Sequence, residues 1–276
     1  MDIHEFMQKY KTGYDILKSK FDIFQYFNFE RNIVDALEKN SYNILLHGRQ
    51  MHITTILRVY SQFHAIKGKK IYYISNRIES SNKFIDNILH FNKDEILKCS
   101  KRKIDFKSGG TIKVMSSRLN ELFLSEINNN DIKDVIIIID NAAFISNLSN
   151  LINYFNGLNI NKIIVASSPN GLNDFFKLFV SSSTGKSPFK LTKVTYKDNP
   201  RYDEKWAKEM LHLLGYNSFR QEILVEFFNS ETKNNEITLQ VRVNEEIMGK
   251  IREKLLHDNI NISTYLRDLI IKDVNK

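Results

Sequence analysis

The chain holds a single cysteine, Cys99, among its 276 residues. An intrachain disulfide is excluded, and the lone thiol fits a reducing cytoplasm. With no motif around it, Cys99 reads as a free, buried thiol. No apolar run approaches the length needed to cross a bilayer. The start, Met1-Asp2-Ile3-His4-Glu5-Phe6, lacks the charged, apolar and small-residue order of a secretory signal. Internal repeats are absent. The seven histidines have no metal-site spacing such as His-Glu-x-x-His, so neither zinc nor any other metal is expected. Nothing supports a Ser-His-Asp arrangement.

What is present is the composition of a soluble globular protein, 42% hydrophobic and 26% charged. The length suits one domain of ordinary size plus something small. A net charge of +8 favours anionic partners, nucleic acid ahead of membrane. The abundance of Ile, Asn and Lys is what an AT-rich genome would produce, so charge alone is compatible with DNA and no more.

Residues 1–40 read mainly helical, with Phe29, Ile33, Val34 and Leu37 at helical spacing. Strands and helices then alternate. Ile44-Leu45-Leu46 predicts a strand, Ile56 to Ile66 a helix, Ile71-Tyr72-Tyr73-Ile74 a strand, and Ser80 to Leu89 a helix. Lys103 to Phe106 and Thr111 to Met115, separated by Ser108-Gly109-Gly110, predict a hairpin. Val135 to Ile139 and Ile163 to Ala166 are continuous apolar runs, as expected of strands buried on both faces. Alternating elements imply an α/β fold with a mainly parallel sheet flanked by helices.

The stretch Gly48-Arg49-Gln50-Met51-His52-Ile53-Thr54-Thr55 follows the first strand and precedes a helix. A phosphate-binding loop needs backbone N–H groups at a helix N-terminus, a glycine for close approach and a lysine for charge. Here Thr54 and Thr55 stand where a hydroxyl would bind magnesium, and Arg49 brings a cation on the wrong side of the turn. His52 has a Cβ that should obstruct a positive-φ turn, and Ile53 carries no charge. Further on, Asp140-Asn141-Ala142-Ala143-Phe144 ends an apolar strand. Ser167-Ser168-Pro169-Asn170-Gly171-Leu172-Asn173 ends the next, and Phe219-Arg220-Gln221-Glu222 completes the series.

In this order and approximate spacing, residues of about 20–230 resemble the ATPase domain of the large terminase of tailed, T4-like bacteriophages, a P-loop NTPase. The resemblance implies a phosphate loop at 48–55, a magnesium aspartate at Asp140 followed by a catalytic glutamate, and a coupling turn at 167–173. Three parts depart from the family. Its loop runs Arg-Gln-x-Gly-Lys-Thr-Thr, whereas His52 and Ile53 replace the glycine and lysine. Asn141 replaces the glutamate, and an amide accepts no proton at neutral pH. Phe29-Glu30 stands where an aromatic-glutamine pair would read adenine. Arg49, Gln50, His52, Ile53, Thr54, Thr55, Asp140 and Asn141 therefore read as a vestigial nucleotide site with no catalytic residue. Either Arg49, Thr54, Thr55 and Asp140 still bind ATP and magnesium, or they only support the loop and the strand end. The family's nuclease domain would have no room after residue 230, so cutting is not expected.

Ser230 to Glu236 is polar and aperiodic, and 231–236 reads as a linker. Residues 237–276 resemble a ribbon-helix-helix domain of the Arc/MetJ type. Leu239, Val241 and Val243 alternate with Thr238, Gln240 and Arg242, and helices follow at about Glu245–Asp258 and Ser263–Val274. The resemblance implies a two-chain antiparallel ribbon in the major groove of double-stranded DNA. Thr238, Gln240 and Arg242 would face the bases, and the second helix, beginning at Ser263 and Thr264, would grip a phosphate. Forty residues cannot bury enough apolar surface alone, so a homodimer or higher even oligomer is expected. A plain dimerisation tail is the competing reading.

The domains expected are thus a helical arm at 1–20, a pseudo-ATPase at 21–230, the linker, and the tail. The function expected is that of a non-catalytic phage DNA-binding protein acting in the host cytoplasm. It would recognise viral DNA or regulate packaging, with an active large terminase or another packaging component as partner, no resident cofactor and no membrane. The alternatives are a repressor that uses the ATPase-like domain as scaffold, and a residual packaging ATPase.

Overall fold

Val135 to Ile139 are five apolar residues in succession, and all five are buried. A strand reads this way when both faces of its sheet are covered. The computed structural model describes residues 1–18, 26–76, 83–86, 88, 93–117, 127, 132–158, 160–228, 244–258, 262, 265, 266, 269 and 273. The chain divides into two compact units, Met1–Ser230 and Glu231–Lys276.

In the first unit the described elements run α1 (Ile3–Lys18), α2 (Asn28–Lys39), β1 (Tyr42–His47), α3 (Ile53–Ile66) and β2 (Lys70–Ser75). Next come β3 (Ile96–Ser100), β4 (Lys103–Phe106), β5 (Thr111–Ser116) and β6 (Val135–Asp140). The last are α4 (Leu148–Gly157), β7 (Lys162–Ser167), α5 (Asp174–Ser183), β8 (Lys190–Val194), α6 (Glu204–Leu214) and α7 (Tyr216–Glu222). One eight-stranded sheet has the order β3-β4-β5-β2-β6-β7-β1-β8. Six strands pair in parallel, and only β4 pairs antiparallel, with β3 and with β5. This is the mainly parallel α/β architecture expected from the alternation of apolar runs.

Successive side chains of a strand point to opposite faces, which divides the core in two. Tyr73, Ile112, Val114, Ile136 and Ile138 pack with residues of α1, α2 and α3. Tyr72, Ile74, Ile137 and Ile139 pack with Leu151, Phe155 and Phe175 of the opposite layer. The 103–115 hairpin forms as predicted, and its turn has a specific reason for glycine. A Cβ on Gly110 would lie 1.9 Å from the carbonyl oxygen of Ala65, at the end of α3.

Two strands, β3 and β8, lie at the sheet edges and had no clear apolar signature. Cys99 belongs to β3 and is exposed, which corrects the expectation of a buried thiol. Edge position explains it: β3 is covered by β4 on one side only, and Leu97 to Ser100 are all exposed. Of the predicted helix at 80–89, residues 83–86 and 88 are helical and the others lie outside the described residues.

Phe29, Ile33, Val34 and Leu37 of α2 are buried, as their spacing requires. On its far side Glu38 accepts hydrogen bonds from Tyr60 Oη at 2.7 Å and His64 Nε2 at 3.0 Å, joining α2 to α3. Burial raises the Glu38 pKa, but these hydrogen bonds and the charges of His64 and Lys162 outweigh it and hold the carboxyl at about 2. A depressed carboxyl stabilises the fold above its unfolded pKa, and that stability is lost as pH falls through ~4.3 towards 2. Because the side chain is 39% exposed, the contribution is discounted to about 1 kcal/mol. Glu38→Gln should lower stability by about that amount at pH 7, with the gap from the parent narrowing below pH 5 and closing only towards pH 2. Urea midpoints at pH 7, 5 and 3 check this, and equal losses throughout would point to packing instead.

In the second unit α8 (Glu245–Asp258) begins on Asn244, whose Oδ1 accepts the Ile247 N–H at 2.9 Å, as an N-cap does. Residues 265, 266, 269 and 273 are helical, within the 263–274 range expected for a second helix, and 262, one residue before it, is helical too. The predicted strand at 237–243 and the linker at 231–236 lie outside the described residues.

Candidate functional site

At the end of β1 the chain turns through Gly48 to His52 and enters α3 at Ile53. The turn is pinned from outside. The Gly48 N–H donates to the Val194 carbonyl at 2.9 Å and the Arg49 N–H to the Glu222 carbonyl at 2.6 Å. A Cβ at Gly48 would sit 3.3 Å from that Glu222 oxygen, so the close approach favours glycine. Tyr202 Oη donates to the Gln50 carbonyl at 3.0 Å, and its ring stacks on Trp206 with centroids 4.0 Å apart. The neighbouring segment is itself strained, since buried Val225 is held at φ 61, a rare state for a β-branched residue.

The loop makes two left-handed steps, Gln50 at φ 62 and His52 at φ 56. The expectation that the His52 Cβ would obstruct a positive-φ turn is therefore corrected: His52 adopts that turn. Histidine is among the non-glycine residues enriched in the left-handed region, so the loop keeps its path at a modest cost. Ile53, one residue later, is 2% exposed and packs into the core shared by α1, α2 and α3. Its side chain is hydrocarbon and supplies no charge.

Asp140 ends β6 directly below this turn and is 1% exposed. Its Oδ2 accepts hydrogen bonds from Thr54 Oγ1 at 2.8 Å and Tyr73 Oη at 2.5 Å, and its Oδ1 accepts the Asn141 N–H at 2.9 Å. Both oxygens are thus committed within the protein. Asn141 lies in the left-handed region at φ 56 and opens the turn Ala142–Phe144. That turn is tied to the end of β7. The Ala143 N–H donates to Ser167 Oγ at 3.1 Å, and Asn173 Nδ2 donates to the Ala143 carbonyl at 2.6 Å. Asn173 Oδ1 also accepts the Phe175 N–H at 3.0 Å, capping α5. The turn at 167–173 is thereby coupled physically to the strand end that carries Asp140 and Asn141.

A cleft of about 330 Å³ opens between these parts, lined by Arg49, Gln50, His52, Ile53, Thr54, Thr55 and Asn141 among others. The structure brings seven of the eight sequence-predicted residues to one cavity, with Asp140 beneath it through Thr54. Among the described residues Arg49 is the one lysine or arginine in the lining, and it pairs with Glu222 at 2.5 Å. His47 also lines the cleft. Its ring lies 3.0 Å, Nδ1 to oxygen, from the Gly48 carbonyl, and its buried Nε2 has no hydrogen-bond partner. Burial lowers the His47 pKa against the opposing pull of that carbonyl and of the Asp140 charge. A neutral ring donating from Nδ1 adds no cation to the cleft.

Tyr73, Tyr202 and His47 were not singled out for these roles by sequence. Tyr73 sits in an apolar strand and nothing marks its hydroxyl. Thr238, Gln240, Arg242, Ser263 and Thr264, the expected DNA contacts, lie outside the described residues. Among the described residues no group of three His, Cys, Asp or Glu side chains could hold a metal ion. No described helix is long and apolar enough to cross a membrane.

No protein-family model matches this chain, and no curated protein does. Solved structures do. The ATPase domain of the large terminase of Thermus phage P74-26 superposes with a TM-score of 0.56 at 17% identity, over 74% of this chain and 94% of that one. The large terminase of another thermophilic bacteriophage gives 0.57 at 13% identity, over 74% of this chain and 54% of that one. The same terminase in complex with ADP gives 0.56 at 10% identity, over 79% of this chain and 60% of that one. The chain thus spans little more than half the length of this second terminase. At these identities the likeness is one of fold: the first unit has the α/β, P-loop-like architecture of a terminase ATPase domain.

Proposed function

We propose that this is a non-catalytic, DNA-binding protein of a tailed phage, acting in genome packaging beside an active motor. One observation carries the reading: the cleft has the strand-turn-helix form of a phosphate loop, while its carboxylate is spent inside the protein and the one cation among its described lining residues is held in a surface ion pair. Arg49 is paired with Glu222, Asp140 holds Thr54 and Tyr73, and the helix begins on a histidine and a buried isoleucine. The residues present do not fit a magnesium-bound nucleoside triphosphate. Such a ligand needs an uncommitted cation at its phosphates and a base to polarise water, and Ile53 and Asn141 provide neither.

Packaging is proposed from the likeness to phage large terminase ATPase domains. A tail acting in DNA binding and pairing is proposed from its residues. The described apolar side chains Ile247, Ile262 and Leu269 are 46%, 37% and 44% exposed, and a second copy of the tail would cover them. We take the partner protein to be an active large terminase.

The test is equilibrium binding of the full chain to fragments tiling the phage genome, with and without magnesium and ATP. Binding that is concentrated near the packaging start and indifferent to nucleotide is expected. A site confined to a promoter would favour repression instead. No binding to any fragment, or binding that requires ATP, would overturn the proposal.

A further inference from the structure

The +8 net charge of the chain is not evenly spread. Residues 93–113 carry seven lysines and arginines against three carboxylates, a net +4 in 21 residues. These residues are β3, β4, the start of β5 and their turns, at one edge of the sheet. Lys98, Lys101, Arg102 and Lys107 are exposed. Among the described residues no ion pair engages their side chains, whereas Lys103 pairs with Asp105 at 2.9 Å.

Pleating sorts this region into two faces. Ile104, Phe106, Ile112 and Val114 point into the core. Lys103, Asp105, Thr111 and Lys113 therefore point to the opposite face, where Lys103 stands across from Lys113. Lys98 pairs in register with Asp105 on the edge strand. A groove of about 500 Å³ runs here, lined by Lys70, Lys98, Lys103 and Thr111, with Asp105 the only acid among its described lining residues. β3 runs in the same direction as the parallel strands, because β4 is antiparallel to both β3 and β5. The Lys101-Arg102 tip thus lies at the carboxyl ends of the parallel strands, as the Gly48–Thr55 turn does, although β3 and β1 are at opposite sides of the sheet. The nearby acids Asp86, Asp94 and Glu95 are exposed and outnumbered.

We propose that this hairpin and its adjoining sheet face hold the phosphodiester backbone of duplex DNA without reading its sequence. The proposal rests on the reading that the protein binds DNA, and adds a second contact distinct from the tail. Three features favour duplex backbone over other anions. Side chains that lack planar partners for base edges, mostly lysine, suit phosphate contact rather than base readout. The aromatic residue of the region, Phe106, is buried, so no ring is available to stack the bases of a single strand. An acidic protein partner would be expected to meet an apolar or aromatic centre within the patch, and Leu97 is the one large exposed apolar residue there.

The experiment compares three full-length proteins on one duplex of phage sequence and one unrelated duplex, across a salt series. They are the parent, Lys98→Gln/Lys101→Gln/Arg102→Gln, and a control of equal charge loss elsewhere, Lys186→Gln/Lys205→Gln/Lys208→Gln. Each released phosphate contact contributes about 0.9 to the slope of log affinity against log salt on duplex DNA. The hairpin variant should lose about 2 to 3 from that slope on both duplexes, and about tenfold or more in affinity at moderate salt. The control should change the slope by less than about 1. Thermal melting of all three separates lost contacts from lost folding. Parent binding with equal slopes for the two variants would overturn the hairpin site and leave the DNA-binding reading intact. Absence of parent binding would overturn both, and an effect on only the phage duplex would overturn sequence-independent contact.

Discussion

Purified protein given magnesium and ATP, with or without duplex DNA, is expected to release phosphate no faster than a protein-free blank. A positioned base contributes about 10²- to 10⁴-fold to such reactions, and one preorganised electrostatic group about 10²- to 10³-fold. Both are missing, and groups that act as a unit do not combine additively, so loss of either already removes useful turnover. Asn141 fails as a base and Ile53 as a cation by their chemistry, and Ile53 lines the cleft, so a lysine there would start from its wall. The loop path itself persists, with His52 already at φ 56. His52→Gly/Ile53→Lys should therefore gain measurable binding of magnesium-ATP while releasing no phosphate. Adding Asn141→Glu is the change expected to bring turnover above the blank. Phosphate release by the parent protein that vanishes in Asp140→Ala would refute the pseudo-ATPase reading.

The central strands and the helix of the phosphate-loop region were legible because long apolar runs and their period report burial directly. β6 is the clearest instance, with five residues buried in a row. β3 and β8 were not legible, because edge strands bury little and carry lysines that read as loop. The same edge position makes Cys99 exposed. At the site, residue identities exposed the missing lysine and glutamate, but not how the remaining charges are spent. The pairing of Arg49 with Glu222 joins positions 173 residues apart, and Tyr73 meets Asp140 across 67. Contacts of that span depend on topology, which local pattern does not encode. His52 misled for a different reason: its Cβ suggests strain, but the left-handed state is within the reach of histidine.

The largest stability effect is expected at Lys11. This residue, in α1, is 0% exposed, and its Nζ lies 3.0 Å from Glu30 Oε1 in α2, which is 1% exposed. The second Glu30 oxygen accepts the Phe27 N–H at 2.9 Å, so one carboxylate both caps α2 and anchors α1. Burial raises the Glu30 pKa and the Lys11 charge pulls it back. Removing the ammonium leaves a desolvated carboxylate with only the Phe27 N–H and the Arg201 charge to offset it, at a cost of about 3–5 kcal/mol. Lys11→Met should lose stability by that amount in urea unfolding at pH 7. The Glu30 carboxyl, already raised in the parent, would rise further without the ammonium, so acid should restore more stability in the variant than in the parent as pH falls below that raised pKa. Lys11→Met/Glu30→Gln removes both charges while an amide oxygen still caps the Phe27 N–H, and should recover most of the loss. Replacement of a buried pair by uncharged groups of similar volume is often nearly neutral, so the single variant should be much less stable than the double. Equal stability of the two would mean that α1 is held to this unit by its apolar contacts, such as Phe6 against Phe63, and not by the ion pair.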